Sequence, residues 1–302
     1  MHSVIEMEGF SGKVKGNKWV IDGNVRKTLV IIHGMNEYSY RYREFAEFLN
    51  RNGYDVFALD QIGHGLNVES TDDLLIWEKD SFSASVENHF ALIESLKKEG
   101  REVIVFAHSM GSFMGQTLIE RHPGVVKKIV LCGTSGPQFV QKIGGPIARM
   151  HRFFTGNGYR RSKFLNHLCF ASYNRKVDRP RTEFDWLSAS ETNVDNYIAD
   201  PYCGAVPSRN FFASFIGSIS RIYKKKNLNR IDPDTKVLFI VGEDDPVGNY
   251  VKSIRKLQRL YTKRQISSRL IAYPKLRHEI LFEEGHEKIF LDVLDFLNEA
   301  DF

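Results

Sequence analysis

An apolar, β-branched run, Val103-Ile104-Val105-Phe106, stops abruptly at Ala107-His108-Ser109-Met110-Gly111. A helical pattern takes over at once, with Met110, Phe113, Met114, Thr117 and Leu118 recurring at helical spacing. Strand, sharp turn and helix around a small-x-Ser-x-Gly pentapeptide is the setting in which a serine hydroxyl is raised above a sheet as a nucleophile. The turn admits only small residues beside the serine. Gly111 keeps the second small position, while Ala107 replaces the first glycine and adds a methyl group that the turn must absorb. Such a pentapeptide also arises by chance, so its meaning depends on what else the chain carries.

The rest of the chain supplies a matching frame. Residues 1–27 read as short strands punctuated by turns at Gly9, Gly12, Gly16-Asn17 and Asp22-Gly23-Asn24. Thr28–Ile32 and Lys128–Leu131 are apolar runs of the kind covered on both faces, and Val56–Leu59, Lys236–Val241 and Arg269–Tyr273 read as further strands. Helical patterns separate them: Tyr42, Phe45, Ala46 and Leu49; Phe82 to Leu96; Val251, Ile254, Leu257 and Leu260; and a closing set at Ile289, Phe290, Val293 and Phe296. Alternating strands and helices imply right-handed crossovers and a mostly parallel central sheet with helices on both faces. The alternation breaks between Gly136 and Leu228. There Phe211, Phe212, Phe215, Ile216, Ile219 and Ile222 fall on one face of a helix starting near Ser208. The expected organisation is a sheet domain in two parts, 1–135 and 230–302, interrupted by a mainly helical cap, 136–229. Aromatics of the cap suit packing against the sheet domain, and a bound acyl chain would use the same kind of surface.

Three polar residues follow three of these strands: Ser109, Asp245 and His278. Open parallel sheets gather ligand chemistry at the carboxyl ends of their strands, so all three would meet at one rim. The roles follow from chemistry. His278 would take the proton of the Ser109 hydroxyl during attack and return it to the leaving group. Asp245 would hold the imidazole tautomer and stabilise the imidazolium. The oxyanion needs preorganised donors, and the backbone N–H groups of Met35, after His33-Gly34, and Met110, after the serine, are the candidates. Asp244 competes with Asp245. Spacing from Gly242 and the proline that follows favour Asp245, while Glu243 and Asp244 suit a surface turn. His33 and His64 read as hydrogen-bonding partners of loop backbone, His108 as a residue that packs beside the nucleophile or supports the side chains around it, and His122 and His286 as helix-end histidines.

The order nucleophile, acid, histidine is that of the α/β-hydrolase fold, and the sheet domain resembles that superfamily. The closer resemblance is to its monoacylglycerol lipase and lysophospholipase-like branch, also grouped with "serine aminopeptidase" hydrolases. It is carried by His33-Gly34-Met35-Asn36-Glu37 with Arg41-Tyr42, Asp60 with Gly63-His64-Gly65, Ala107 through Gly111, Gly242 with Asp245-Pro246, and Arg277-His278-Glu279. The resemblance implies an α/β-hydrolase fold with an inserted helical cap, the triad Ser109, Asp245 and His278, and oxyanion donors at Met35 and Met110. Ala107 and Gln61-Ile62 depart from the pattern. The cap matches no single substrate group.

Composition narrows the partners. With 302 residues, 42% hydrophobic and 26% charged, the chain is that of an ordinary globular protein. A net charge of +5 tolerates anionic lipid or acidic substrates without calling for nucleic acid, and no nucleic-acid motif is present. Cys132, Cys169 and Cys203 are odd in number and form no C-x-x-C pair, which points to reduced thiols in a cytoplasmic protein rather than disulfides or zinc. The N-terminus is acidic where a signal peptide is basic. No cofactor or metal is expected. Arg149, Arg152, Arg160, Arg161, Lys163, Arg175, Lys176, Arg179 and Arg181 crowd the early cap, with Phe153, Phe154, Tyr159 and Phe164 interleaved. A solvated basic face accounts for them, and so does peripheral contact with an anionic lipid surface.

The expected activity is therefore a serine hydrolase that cleaves carboxylic esters through an acyl-enzyme, with lipid-like monoesters such as monoacylglycerols or lysophospholipids as substrates. Two alternatives stand beside it. The same triad hydrolyses amides and thioesters, although an aminopeptidase would want acids in the cap. A non-catalytic binding member of the fold would have less reason to keep all five positions.

Overall fold

The computed structural model describes residues 1–23, 25–138, 146, 147, 150, 153 and 155–300; Asn24, Arg149, Arg152 and Phe154 lie outside them. The strands are β1 (His2–Gly9), β2 (Gly12–Trp19), β3 (Lys27–Ile32), β4 (Asp55–Leu59), β5 (Glu102–His108), β6 (Lys128–Cys132), β7 (Lys236–Gly242) and β8 (Ser268–Tyr273). They join in one sheet ordered β1-β2-β4-β3-β5-β6-β7-β8. β1 pairs antiparallel with β2, and β2 antiparallel with β4; every later pairing is parallel. The mostly parallel sheet expected from the alternating runs is thus present.

Strand periodicity divides the core in two. Val30 and Ile32, Val105 and Ala107, and Val237, Phe239 and Val241 face one side; Leu29 and Ile31, Ile104 and Phe106, and Leu238 and Ile240 face the other. The first side is covered by α2 (Ser81–Lys98), α3 (Met110–Arg121) and α8 (Lys252–Thr262), the second by α1 (Arg43–Arg51) and α9 (Glu287–Asn298).

Between β6 and β7 the described residues form helices: α4 (Lys163–Phe170), α5 (Glu191–Ala199), α6 (Arg209–Ile222) and the short α7 (Lys225–Leu228). Helix α6 starts where its sequence suggests, because the Ser208 hydroxyl accepts a hydrogen bond from Phe211 N. Its Phe211, Ile219 and Ile222 join the core beneath α2 and α3. At roughly 2 kcal/mol per large buried side chain, they tie this segment to the sheet.

Two local expectations need correcting. Gly16-Asn17 is not a turn but lies inside β2, paired with Leu59 and Ala58; a side chain on Gly16 would collide with the backbone of β4. Val251 is not helical but precedes α8 with φ 69°, after Asn249 and Tyr250, which are also left-handed. No helix among the described residues is long and apolar enough to cross a membrane.

Candidate active site

The turn between β5 and α3 holds Ser109 at φ 50°, ψ −119°, a conformation non-glycine residues rarely adopt. Such strain persists only where surroundings enforce it. Here Ser109 N donates to Cys132 O at 3.0 Å, and Ser109 O accepts from Ser112 N at 2.9 Å and Ser112 Oγ at 2.6 Å. Glycine is needed at 111 because a Cβ there would sit 2.1 Å from Ile32 O. The extra methyl of Ala107 is accommodated by Gly115 one turn along α3, where an added Cβ would lie 3.0 Å from Ala107 Cβ. Gly111→Ala should therefore displace the elbow and lower kcat/KM for a soluble ester by roughly a hundredfold. Steady-state kinetics alongside thermal melting would check this; an unchanged rate would show that the turn is not set by that contact.

The three residues expected to converge do so. His278 Nε2 lies 2.8 Å from Ser109 Oγ, and His278 Nδ1 lies 2.9 Å from Asp245 Oδ2. An ionised carboxylate only accepts, so Nδ1 carries the proton and the Nε2 lone pair faces the hydroxyl. Asp245 is fully buried, and its Oδ1 accepts from Val247 N at 2.8 Å. Asp244 and Glu243 are exposed, in keeping with a surface turn. Because β5, β7 and β8 run parallel, their carboxyl ends deliver the serine, the aspartate and the histidine to one rim.

Met35 and Met110 border the same cavity as Ser109 and His278. Met110 is the first residue of α3, so its N–H has no partner within the helix. The Met35 loop is fixed by two buried groups. His33 Nδ1 donates to Gly34 O at 2.8 Å while its Nε2 accepts from Gln61 N at 2.9 Å, an arrangement that needs the neutral ring. Burial accordingly pushes the His33 pKa down to about 3. His64 Nδ1 likewise donates to Ile62 O at 2.9 Å, so both histidines serve loop backbone.

The second group is a buried charge network that sequence reasoning did not assemble. Glu37 Oε1 accepts from Gly34 N, from Tyr42 OH at 2.9 Å and from His108 Nδ1 at 2.8 Å. Arg41 reaches Glu37 at 3.3 Å and grips Glu279 with two bonds of 2.8 and 3.0 Å. Asn193 of α5 donates to Glu279 at 3.0 Å. The residues flanking Ser109 and His278 are thus linked through charge: His108 precedes the serine, and Glu279 follows the histidine. His108 takes the second of its two expected parts, bonding to Glu37 behind Ser109 rather than merely packing there. The available signals were Glu37 and Arg41 four apart and an acid directly after His278.

A cavity of about 800 Å³ opens above Ser109. Phe113 of α3 and Phe212, Phe215, Ile216 and Ile219 of α6 form an apolar wall. Trp186 covers His278, with ring centroids 5.1 Å apart. Its segment is tied to the histidine loop: Arg277 donates to Asp185 O at 2.6 Å and Ser188 O at 2.7 Å, and Glu279 N donates to Leu187 O at 2.7 Å. The basic patch is only partly available. Arg161 donates to Val206 O and Asp72 O, and Arg181 pairs with Asp195 at 3.0 Å, whereas Arg160, Lys163 and Arg179 are exposed.

Similarity to known proteins follows the fold and the site. A family model described as "Serine aminopeptidase, S33" matches residues 23–285. The monoglyceride lipase of Rattus norvegicus is 23% identical over 210 residues, 68% of this chain, and the match spans 61% of the rat protein's length. A monoacylglycerol lipase of Mycolicibacterium smegmatis is 25% identical over 278 residues, 91% of this chain and 88% of that protein. Among solved structures, a thermostable carboxyl esterase from Bacillus coagulans in complex with glycerol superposes with a TM-score of 0.91 at 21% identity, covering 98% of both chains.

Proposed function

The chain belongs to the serine aminopeptidase, S33 family of the α/β-hydrolase superfamily, and from that membership we propose that Ser109, His278 and Asp245 are the catalytic triad of an enzyme for lipid-like monoesters. The protein is a hydrolase of the lipase or esterase type. The observation that carries the assignment is the unbroken hydrogen-bonded series from Ser109 Oγ through His278 to Asp245.

In this reading Ser109 Oγ attacks the ester carbonyl carbon as His278 Nε2 takes its proton. The amides of Met35 and Met110 receive the oxyanion; neither donates to a protein acceptor among the described residues. The carbonyl–oxygen bond then breaks, and His278 returns the proton to the departing alcohol. Water, activated by the same imidazole, releases the fatty acid and restores the serine. No metal or cofactor takes part in this scheme.

The apolar wall of Phe113, Phe212, Phe215, Ile216 and Ile219 supports an acyl chain as the occupant of the cavity. The described residues of the 136–229 segment act as the cap, and its Phe212, Phe215, Ile216 and Ile219 supply most of that wall. Exposed Phe164 and Leu168 beside Arg160 and Lys163 support peripheral contact with an anionic lipid surface. Monoacylglycerols and lysophospholipids are the substrate class. The test is a panel of esters, thioesters and aminoacyl amides with matched acyl chains. Medium- or long-chain monoesters should exceed the amides at least about tenfold in kcat/KM, one favourable contact's worth of discrimination. Preferred turnover of the amides would replace the esterase reading with an aminopeptidase one.

A further inference from the structure

The cavity has a second wall of different chemistry. Opposite in character to the phenylalanines and isoleucines of α6, it carries Arg175, Lys176, Glu183, Asn249 and Tyr250. Arg175 and Lys176 end a short turn of helix spanning Tyr173–Lys176. Lys176 Nζ stands 3.5 Å from the centre of the Tyr250 ring, and Tyr250 N donates to the main chain of Asp245 at 2.9 Å. Lys176 is thereby held beside the loop that bears the triad acid, and Arg175 precedes it on the same turn. Both are exposed, and neither has a carboxylate within 4.0 Å among the described residues. Arg181, only five residues after Lys176, is by contrast paired with Asp195 and Glu191. Glu183 leaves this wall with a net charge of +1, counted over these three residues.

The direction of the reaction assigns the walls. The histidine hands its proton to the departing oxygen, so the leaving group lies on the His278 side of the nucleophile. That side is covered by Trp186, which packs with Tyr173 and Val247; Tyr173 opens the turn that carries the two cations, and Lys176 of that turn lies over Tyr250. The acyl side lies along α3, whose Phe113 follows the serine by four residues and packs on Phe215 at 5.8 Å between centroids. We propose that Arg175 and Lys176 form a subsite for a phosphate carried on the leaving alcohol, so that the preferred substrates are single-chain lysophospholipids with an exposed anionic phosphate rather than neutral monoacylglycerols. Arg presents a planar fork to phosphate oxygens and Lys a point charge, a pairing suited to that group. The proposal rests on the triad reading above and adds the identity of the leaving group. In bond terms the step is ordinary hydrolysis: the acyl carbon–oxygen bond breaks, glycerophosphate leaves with the proton from His278, and the phosphate ester itself stays intact.

The test uses short-chain substrates below their aggregation concentration, so that membrane attraction plays no part. Hexanoyl lysophosphatidic acid and hexanoyl glycerol share one acyl chain and differ in the phosphate. The ratio of their kcat/KM values is measured for the wild type, for Arg175→Gln/Lys176→Gln, and for Lys225→Gln/Lys226→Gln, which removes equal charge from α7, away from the cavity. The wild type should favour the phosphate substrate by at least about tenfold, as expected for one charge-assisted hydrogen bond. The first variant should lose that preference, chiefly through KM, and the second should keep it. Glycerol 3-phosphate should compete with p-nitrophenyl hexanoate more strongly than inorganic phosphate does; equal competition would make the site a general anion site rather than a headgroup site. A wild-type ratio near one, or an equal fall in both double variants, overturns the subsite while leaving the esterase standing. Absence of turnover on every ester, p-nitrophenyl hexanoate included, overturns the esterase reading and the subsite with it.

Discussion

Asp245→Asn should leave the protein folded and lower kcat for ester hydrolysis by roughly four orders of magnitude. The carboxylate accepts the His278 Nδ1 proton at 2.9 Å and the Val247 N–H at 2.8 Å. An amide in its place turns an NH2 group toward Nδ1 and favours the opposite tautomer, with the proton on Nε2. The ring then faces Ser109 with a donor and has no lone pair to receive the hydroxyl proton. Shape and volume are nearly conserved, so the melting temperature should move little compared with the rate. Asp244→Asn, at an exposed position, should keep kcat near the wild-type value. The two variants compared on one soluble ester decide between the neighbouring acids; a kcat for Asp245→Asn within tenfold of wild type would remove it from the triad.

Glu37→Ala should be the most destabilising single change near the site, at about 3–5 kcal/mol. It leaves Arg41 with only Glu279, strips His108 of its counter-charge, and frees Gly34 N and Tyr42 OH in a buried environment. A drop in melting temperature on the order of 10 °C is expected for a chain of this size. Activity at a temperature where the variant is folded should also fall, because the loop carrying the Met35 amide loses its tether. Scanning calorimetry with kinetics at low temperature checks both parts. Unchanged stability would mean that the network contributes nothing net.

The same network sets a pH signature. Burial works against charge on His108, but Glu37 overrides it and raises the imidazole above its ordinary value of 6.5. The stabilisation from this shift is complete below pH 6.5 and is lost as pH rises through the raised folded value. Burial would raise the Glu37 carboxyl, yet His108 and then Arg41 hold it below its ordinary 4.5. Its contribution is present above pH 4.5 and is lost as pH falls through the lowered folded value. His33, His64 and His89 act in the opposite sense to His108: burial pushes them down to about 3, 4 and 3, so the unfolded chain gains protons first and stability falls as pH drops below 6.5. On the alkaline side only the His108 pair among these groups weakens. Melting temperature measured from pH 6.5 to 9 should therefore decline more in the wild type than in Glu37→Gln; parallel curves would contradict a charged His108.

What could be read from the chain was what local pattern encodes. The parallel strands are runs such as Leu29–Ile32 and Val237–Val241, apolar on both faces, and their spacing with the helices implied the sheet. Ser109, Asp245 and His278 were legible because each follows such a strand in a fixed order. The network around Glu37 was not, because Arg41 and Glu279 are separated by 238 positions and no periodicity connects them. Gly16 misled because glycine marks both turns and close backbone approach, and only the packing against β4 tells which. Val251 misled because a β-branched residue gives no local warning of a left-handed conformation. The two-walled cavity was illegible for the same reason as the network: α6 and the Tyr173–Lys176 turn meet only in the folded chain.

The central claim is that the hydroxyl of Ser109 is activated by His278. Intact-mass spectrometry after reaction with a fluorophosphonate, followed by peptide mapping, addresses it directly. One adduct on Ser109 is predicted in the wild type, none in Ser109→Ala, and labelling at least about a hundredfold slower in His278→Ala, within the range expected for loss of a general base. An adduct at another residue, or an unchanged labelling rate without the imidazole, would contradict the account.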